Sequence, residues 1–203
     1  MTIYRAIDVE STGIPSETER HALVEIGWCD VVGARGAEMV MDPASILVNP
    51  GRPIPAEASA IHHLRDCDVV DAVPPDVACA EVAKAGDYYV AHNAAFDPQF
   101  FGGGDKPWID TWKCALRVWP DAPSHKLQVL RYWLKFDDNP QFDRTCSEPA
   151  HRAGADAYCC AFLLVELLNA STVEQLVKWS SGPALLVTCY MNKHRNKRWR
   201  DVA

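Results

Sequence analysis

Near the start of the chain lies the stretch IYRAIDVESTG, residues 3–13, in which a short apolar run leads into two carboxylates. The run predicts a buried β-strand, with Asp8 and Glu10 at its end. Because residues i and i+2 of a strand point to one face, both carboxylates are directed to the same place. Like charges that close raise each other's pKa unless a cation lies between them, and hard oxygen ligands favour Mg²⁺ or Mn²⁺. The simpler interpretation is a pair of surface acids, since a D-x-E pattern is common.

Two later segments carry further acids at junctions between predicted elements. HNAAFD, residues 92–97, follows a short apolar strand and brings Asp97 to the start of a helix, where the helix dipole also favours an acid. HRAGAD, residues 151–156, precedes a long apolar helix. On one ideal helix the side chains of His151 and Asp156 would point about 140° apart, so they converge only if His151 lies in the preceding loop. A histidine beside a metal-bound acid is suited to general-base catalysis, whereas a single loop histidine is more often merely solvated.

The bulk composition limits the class of protein. The chain has 203 residues, of which 48% are hydrophobic, which suits one domain with an ordinary core. A net charge of −7 weighs mildly against a nucleic-acid partner, although a carboxylate-lined metal site would account for part of it. Eight cysteines without C-x-x-C spacing favour reduced, packed thiols over a zinc site. Without a signal-peptide pattern or a membrane-length apolar run, we expect a soluble cytoplasmic protein.

The order of the predicted elements indicates the fold class. We expect strands at Ile3–Asp8, at Leu23–Val32 and within Glu38–Val48, which is interrupted near Asp42-Pro43, and these three form an antiparallel meander. The later elements are strands at Tyr88–Ala91 and Trp108–Asp110 and helices at Pro55–His63, Asp76–Lys84, Ala95–Phe101, Thr111–Trp119, Lys126–Phe136, Gly154–Leu168 and Val173–Ser180. This order predicts an α/β three-layer domain with a mixed central sheet flanked by helices. We assign residues 1–182 to this domain and residues 183–203 to a C-terminal extension with a basic tail.

In combination, the acidic segments resemble the DEDDh branch of the DnaQ-like exonuclease superfamily, most nearly its exodeoxyribonuclease X type. The matching stretches are DVESTG at 8–13, AIH at 60–62, VAHNAAFD at 90–97 and HRAGAD at 151–156. The resemblance implies an RNase H-like fold and a metal-dependent 3′→5′ exonuclease. Carried over by position, it implies that His151 is the general base and that the metal-site acids are Asp8, Glu10, Asp97 and Asp156.

The resemblance also implies a reaction and a binding cleft. Two Mg²⁺ ions, replaceable by Mn²⁺, would be held by the four acids, with Asp8 as the bridging ligand. The substrate would be a nucleic acid with a free 3′ end, and the products would be nucleoside 5′-monophosphates. The residues expected to line the path of the substrate strand are Val9, Gly13, Ile14, His62, Asn93 and Phe96.

Several alternatives remain at this stage. DNA is favoured over RNA only by the overall resemblance, so an exoribonuclease that trims RNA ends is the first alternative. A non-catalytic module that binds nucleic acid or a polymerase is the second, although such a module has no need of four acids and a histidine. The basic residues between Lys193 and Arg200 either contact the substrate or form a solvated tail. We expect no membrane partner, and the sequence leaves the oligomeric state open, a homodimer included.

Overall fold

A six-stranded mixed sheet forms the centre of the computed structural model, which describes residues 1–15, 19–34, 36–189, 191–195 and 197–202. The strands are β1 (Thr2–Ser11), β2 (Leu23–Gly33), β3 (Met39–Val40), β4 (Ala44–Leu47), β5 (Tyr88–Ala91) and β6 (Trp108–Asp110). The α-helices are α1 (Ala56–His62), α2 (Asp66–Val69), α3 (Pro75–Val82), α4 (Pro98–Phe101), α5 (Thr111–Val118), α6 (Leu127–Trp133), α7 (Ala153–Ala170) and α8 (Val173–Ser181). Short 3₁₀ turns occupy Phe136–Asp138, Arg144–Ser147, Asn192–His194 and Trp199–Asp201.

The sheet combines an antiparallel half with a parallel half. Its strand order is β3-β2-β1-β5-β6, and β4 also pairs with β2. The pairs that involve β2 are antiparallel, whereas β1–β5 and β5–β6 are parallel. The predicted meander and mixed sheet are therefore confirmed, and the expected interruption near Asp42-Pro43 is the gap that separates β3 from β4.

Alternation along β1 sorts its side chains between two apolar cores. Tyr4 and Ala6 pack in the larger core, which contains α5, α6 and α7. Ile7 and Val9 pack in a second core on the other side, together with residues of α3. Side chains two residues apart lie on the same face of a strand. Asp8 and Glu10 therefore lie on the face of β1 that carries Tyr4 and Ala6 and that packs against α7. The predicted three-layer arrangement is confirmed, and it directs both carboxylates toward the start of α7.

Helix α7 is the principal helix of the larger core. Its 18 residues are apolar enough to cross a membrane by length and composition, but 72% of them are buried inside the domain. An all-round apolar helix of this kind is typical of a protein core. At its start, Gly27 of β2 permits close contact, because a Cβ there would lie 2.2 Å from the carbonyl carbon of Ala153. The glycine therefore allows the first turn of α7 to lie directly against the sheet.

The predicted helix at Ala95–Phe101 was too long. Residues 92–97 form turns, and α4 contains only Pro98–Phe101. Asn93 has a φ of +74°, which interrupts helical geometry, and Pro98 occupies the first helical turn, where its fixed φ is favourable. Asp97 consequently lies at the N-cap of α4 and not inside a helix.

Candidate active site

Three carboxylates from two elements converge beyond the larger core. Asp8 and Glu10 come from β1, and Asp156 comes from the first turn of α7. Ligand oxygens of the three lie within 4.8 Å of one another. The alternation that directed Asp8 and Glu10 to one face thus brings them to the acid supplied by α7.

Asp97 belongs to the same electrostatic cluster, although it lies outside the set of three. Its side chain is only 3% exposed, and hydrogen bonds from the backbone of Asp97 itself and of Val9 reach its carboxylate. The bond from Val9 places this carboxylate against β1, next to the position of Asp8. The charge of Asp97 accordingly helps to raise the pKa of Asp8.

Burial raises the pKa of all four acids. It raises the pKa of Asp8 well above its usual value, with further contributions from the charges of Asp156 and Asp97. Burial, followed by the charge of Asp156, raises the pKa of Glu10 to about 8, and burial raises that of Asp97 to about 7. Burial also raises the pKa of Asp156, although hydrogen bonds from Gln128 and His151 act to lower it.

In the described part of the chain, no salt bridge reaches any of these four carboxylates. Burying like charges without a cation is unfavourable, so the carboxylates resist ionisation. A bound divalent cation would remove that penalty, and clustered carboxylate oxygens are the ligands that such a cation prefers. The donor set therefore fits a divalent metal site.

His151 lies in the loop before α7, which is the condition for convergence with Asp156. Its backbone has a φ of +60°, and its N–H donates to Asp156 Oδ2 at 2.8 Å. The second oxygen of Asp156 accepts from Gln128 Nε2 at 2.6 Å. The imidazole is exposed and lines the same cleft as Asp8 and Asp156. The loop thus holds a histidine at the acids without packing it into the core.

A cleft of about 840 Å³ opens over the acids. Of the predicted substrate-contacting residues, Asn93 lines this cleft, and its positive φ is one that asparagine adopts readily. Ile14 is 79% exposed in the turn after β1. Gly13 precedes it with a φ of +151°, and a Cβ there would lie 2.4 Å from the His21 ring. Phe96 is half-buried against Phe100, with ring centroids 5.1 Å apart.

Two predicted contact residues have side chains that solvent does not reach. Val9 is 4% exposed and packs in the second core, so only its backbone faces the site. His62 is 1% exposed, its Nδ1 accepts from the Leu64 N–H at 3.1 Å, and its ring lies at the backbone of Ser11. Helix α1 thus buries the His62 side chain against the end of β1, and its contact with the substrate strand stays a prediction.

Sequence reasoning missed a histidine pair that shapes the far wall of the cleft. His92 Nε2 donates to the His125 carbonyl at 2.8 Å, and His92 Nδ1 lies 2.9 Å from Thr111 Oγ1. Burial lowers the pKa of His92 to about 4, so this ring is neutral at ordinary pH. His125 Nε2 in turn lies 2.9 Å from the Trp119 carbonyl oxygen. The pair joins β5 to the loop before α6, and only the position of His92 directly after a strand hinted at such a role.

With this geometry in place, comparison with known proteins decides the family. The family model described as Exonuclease matches residues 6–164, a range that includes all five predicted catalytic residues. The chain belongs to this exonuclease family. The resemblance to DEDDh exonucleases found in the sequence is thereby confirmed, and the protein is a hydrolytic nuclease by membership of the family.

Individual relatives of this exonuclease agree. The chain is 32% identical over 202 residues to exodeoxyribonuclease 10 of Escherichia coli K12, covering 98% of this chain and 84% of that protein. It is 35% identical over 190 residues to a DNA polymerase III subunit epsilon-like protein of Rhodobacter capsulatus, covering 86% of this chain and 25% of that one.

Solved structures confirm the fold of the exonuclease. Exonuclease X in complex with 5′-overhanging duplex DNA superposes with a TM-score of 0.71 at 30% identity, covering 88% of this chain and 99% of that one. Exonuclease I of E. coli with single-stranded DNA, in a zinc-bound form, superposes with a TM-score of 0.60 at 14% identity, over 88% of this chain and 42% of that one. The second likeness is one of fold alone. The predicted RNase H-like exonuclease fold is therefore confirmed.

Proposed function

We propose that the protein is a 3′→5′ exodeoxyribonuclease that uses two Mg²⁺ ions, replaceable by Mn²⁺, to release nucleoside 5′-monophosphates. The observation that carries the proposal is the convergence of Asp8, Glu10 and Asp156 within 4.8 Å beside an exposed His151. DNA is chosen as substrate because the relative that matches nearly the full chain is an exodeoxyribonuclease, and the neighbour with a TM-score of 0.71 is a complex with DNA. Eight free cysteines fit a reducing compartment, so we place the protein in the cytoplasm.

The acids have distinct roles in this proposal. Asp8, Glu10 and Asp156 would hold the divalent ions, and Asp97 would contribute directly or through water. When bound, the ions stabilise the charge on the phosphate and activate the attacking water. Asp156 is held for this role by Gln128 at one oxygen and by the His151 N–H at the other.

His151 supplies the proton transfer. Its imidazole accepts the proton that the water loses as the water oxygen bonds to phosphorus and the 3′ oxygen departs. Positive φ fixes the loop so that the ring extends into the cleft while the backbone N–H holds Asp156. Gly13, Ile14, Asn93 and Phe96 remain our candidates for contact with the terminal nucleotides, and the Val9 backbone adjoins them.

The decisive experiment follows the shortening of 5′-labelled single-stranded DNA and of matched RNA, with Mg²⁺ and with EDTA. We expect a Mg²⁺-dependent ladder that shortens from the 3′ end, faster on DNA. Faster shortening of RNA would assign the enzyme to RNA trimming, and no shortening of either strand would favour a binding module.

The role of His151 is tested by His151→Asn, since asparagine also tolerates positive φ. General-base removal predicts a loss of about 10²–10⁴-fold in kcat with metal affinity retained. His63→Asn is a matched control, because His63 is also exposed and has a φ of +61°. Equal rates for His151→Asn and the parent would remove the base assignment.

A further inference from the structure

The described residues of the segment 183–202, namely 183–189, 191–195 and 197–202, are here called the C-terminal strap, and they fold back after α8 as a short antiparallel ladder. The Cys189 N–H donates to the Lys197 carbonyl at 2.7 Å, and the Trp199 N–H donates to the Val187 carbonyl at 3.0 Å. Thr188 and Arg198 form the bridge between these two bonds. The described residues at the basic end of the chain are thus part of a folded hairpin.

Basic side chains tie both limbs of the strap to α5 and to the loop after it. Lys113 Nζ donates to the Gly182 carbonyl at 3.0 Å, and Arg117 Nη2 donates to the Pro183 carbonyl at 2.8 Å. Arg198 forms an ion pair with Asp121 and also reaches the Asp121 carbonyl at 3.3 Å. These contacts fix where the strap lies relative to the domain.

That location makes the strap a wall of the catalytic cleft. Leu186, Val187, Thr188 and Arg198 line the same cleft as Asp8, Asp156 and His151. The family match ends at residue 164, so this wall lies outside the part of the chain that defines the family. A nucleic-acid strand that fills this cleft therefore contacts the strap.

The strap also carries positive charge at a site that otherwise repels phosphate. Between residues 191 and 202 there are five basic residues and one acidic residue, in a chain with a net charge of −7. Lys193, Arg195 and Lys197 are exposed, and Trp199 is 45% exposed among them. Basic side chains interleaved with an aromatic ring are typical of surfaces that bind single strands by phosphate contact and base stacking.

We propose that the C-terminal strap is a substrate clamp that binds the phosphates of the DNA strand behind the nucleotide being removed. This proposal rests on the proposed function, from which it takes DNA as the ligand, and it adds the segment of the chain that binds the strand. Lys193, Arg195 and Lys197, exposed on the strap outside the cleft, hold the strand where it leaves the cleft, so they set affinity and processivity, whereas the acids and His151 carry the chemistry.

The test compares the triple variant Lys193→Ala/Arg195→Ala/Lys197→Ala with a control triple variant of equal charge change. The control is Arg65→Ala/Lys84→Ala/Lys178→Ala, whose three side chains are exposed and lie outside the strap. Affinity for a fluorescent single-stranded 20-mer is measured by anisotropy in EDTA over a range of salt concentrations. Because no hydrolysis is needed, this measurement can fail or succeed independently of the proposed exonuclease activity.

Three lost phosphate contacts predict that the slope of log Kd against log salt falls by about 2, with Kd raised by about 10-fold or more at moderate salt. With Mg²⁺, the strap variant should keep its kcat on the 20-mer and its rate on the p-nitrophenyl ester of thymidine 5′-monophosphate, which is too short to reach the strap. An unchanged Kd and slope would overturn the clamp, as would an equal loss in the control. A proportional loss of rate on the 20-mer and the ester would assign the strap a merely structural role.

Discussion

Two glutamates that face each other across the sheet have opposite electrostatics. Glu10 of β1 pairs in register with Glu25 of β2. Glu25 is 1% exposed, yet it accepts two hydrogen bonds from Arg152, at 2.8 and 2.9 Å, and one from Ser45 Oγ at 2.8 Å. Burial acts to raise the pKa of Glu25, but these bonds outweigh it and leave that pKa lowered. Glu10 is more exposed, and its pKa is nevertheless raised to about 8.

The difference shows that hydrogen-bonding partners, and not the depth of burial, determine the direction in which the pKa of each of these two carboxylates is shifted. Glu25 is saturated by donors and holds Arg152 and the Ala153 N–H, from which α7 begins. Glu10 shares its surroundings with Asp8 and Asp156 and depends on a cation from solution for its charge to be compensated. The saturated acid is structural, whereas the unsaturated acids are suited to bind metal.

The largest effect is expected from Asp8→Asn, which removes one charge from the unsaturated cluster. Hydrolysis should fall below detection, because an uncharged amide is a poorer ligand for a divalent cation than a carboxylate is. Thermal stability in EDTA should stay level or rise, since a like-charge repulsion is relieved. Nuclease assays and thermal melts check both parts, with Asp76→Asn on the exposed face of α3 as control. Full activity in Asp8→Asn would contradict the metal-site assignment.

Removing the ion-pair partner of Glu25 should mainly lower the free energy of unfolding. Arg152→Ala leaves Glu25 buried without its guanidinium, which should cost about 2–3 kcal/mol in the free energy of unfolding. Arg152→Lys keeps the charge but loses the two-pronged contact, so it should lie between Ala and the parent. Urea denaturation measures both variants. Adding Glu25→Gln to Arg152→Ala should recover part of the loss, and a purely additive double variant would show that the pair is not coupled.

The sequence predicted those parts of the site that depend on local periodicity. Strand alternation placed Asp8 and Glu10 on one face, and the helix angle required His151 to lie in a loop. Both expectations needed only neighbouring residues. The same reasoning placed the break between β3 and β4 at Asp42-Pro43, because proline and aspartate disfavour a continuous strand.

What the sequence could not provide depends on contacts between distant segments. Glu25 and Arg152 are 127 residues apart, and nothing near either one indicates the other. Gln128 reaches Asp156 from another helix. His62 carries the residue type expected of a cleft, but the packing of α1 against the end of β1 buries it. Such assignments follow from tertiary packing, which sequence periodicity does not encode.

The smallest effect is a pH dependence that separates the two glutamates without altering the fold. Above about pH 7.5 the lowered pKa of His92, about 4, no longer contributes a slope, because the imidazole has then lost its proton in the unfolded chain as well as in the folded one. From there to about pH 8, Glu10 still holds part of a proton in the folded state that the unfolded state has lost, and Asp97, with a pKa of about 7, holds a smaller part. The folded state then binds more protons, so stability should fall as pH rises.

Thermal melts in EDTA should therefore show a melting temperature that declines across this range, and saturating Mg²⁺ should abolish the decline because the cation favours ionised carboxylates. Glu10→Gln should flatten the EDTA profile. Glu25, whose lowered pKa stabilises the fold above its usual titration range, contributes no slope there and loses its contribution only in acid. A level or rising EDTA profile in the parent would mean that the cluster is already compensated without metal, and the contrast between the two glutamates would then be one of position alone.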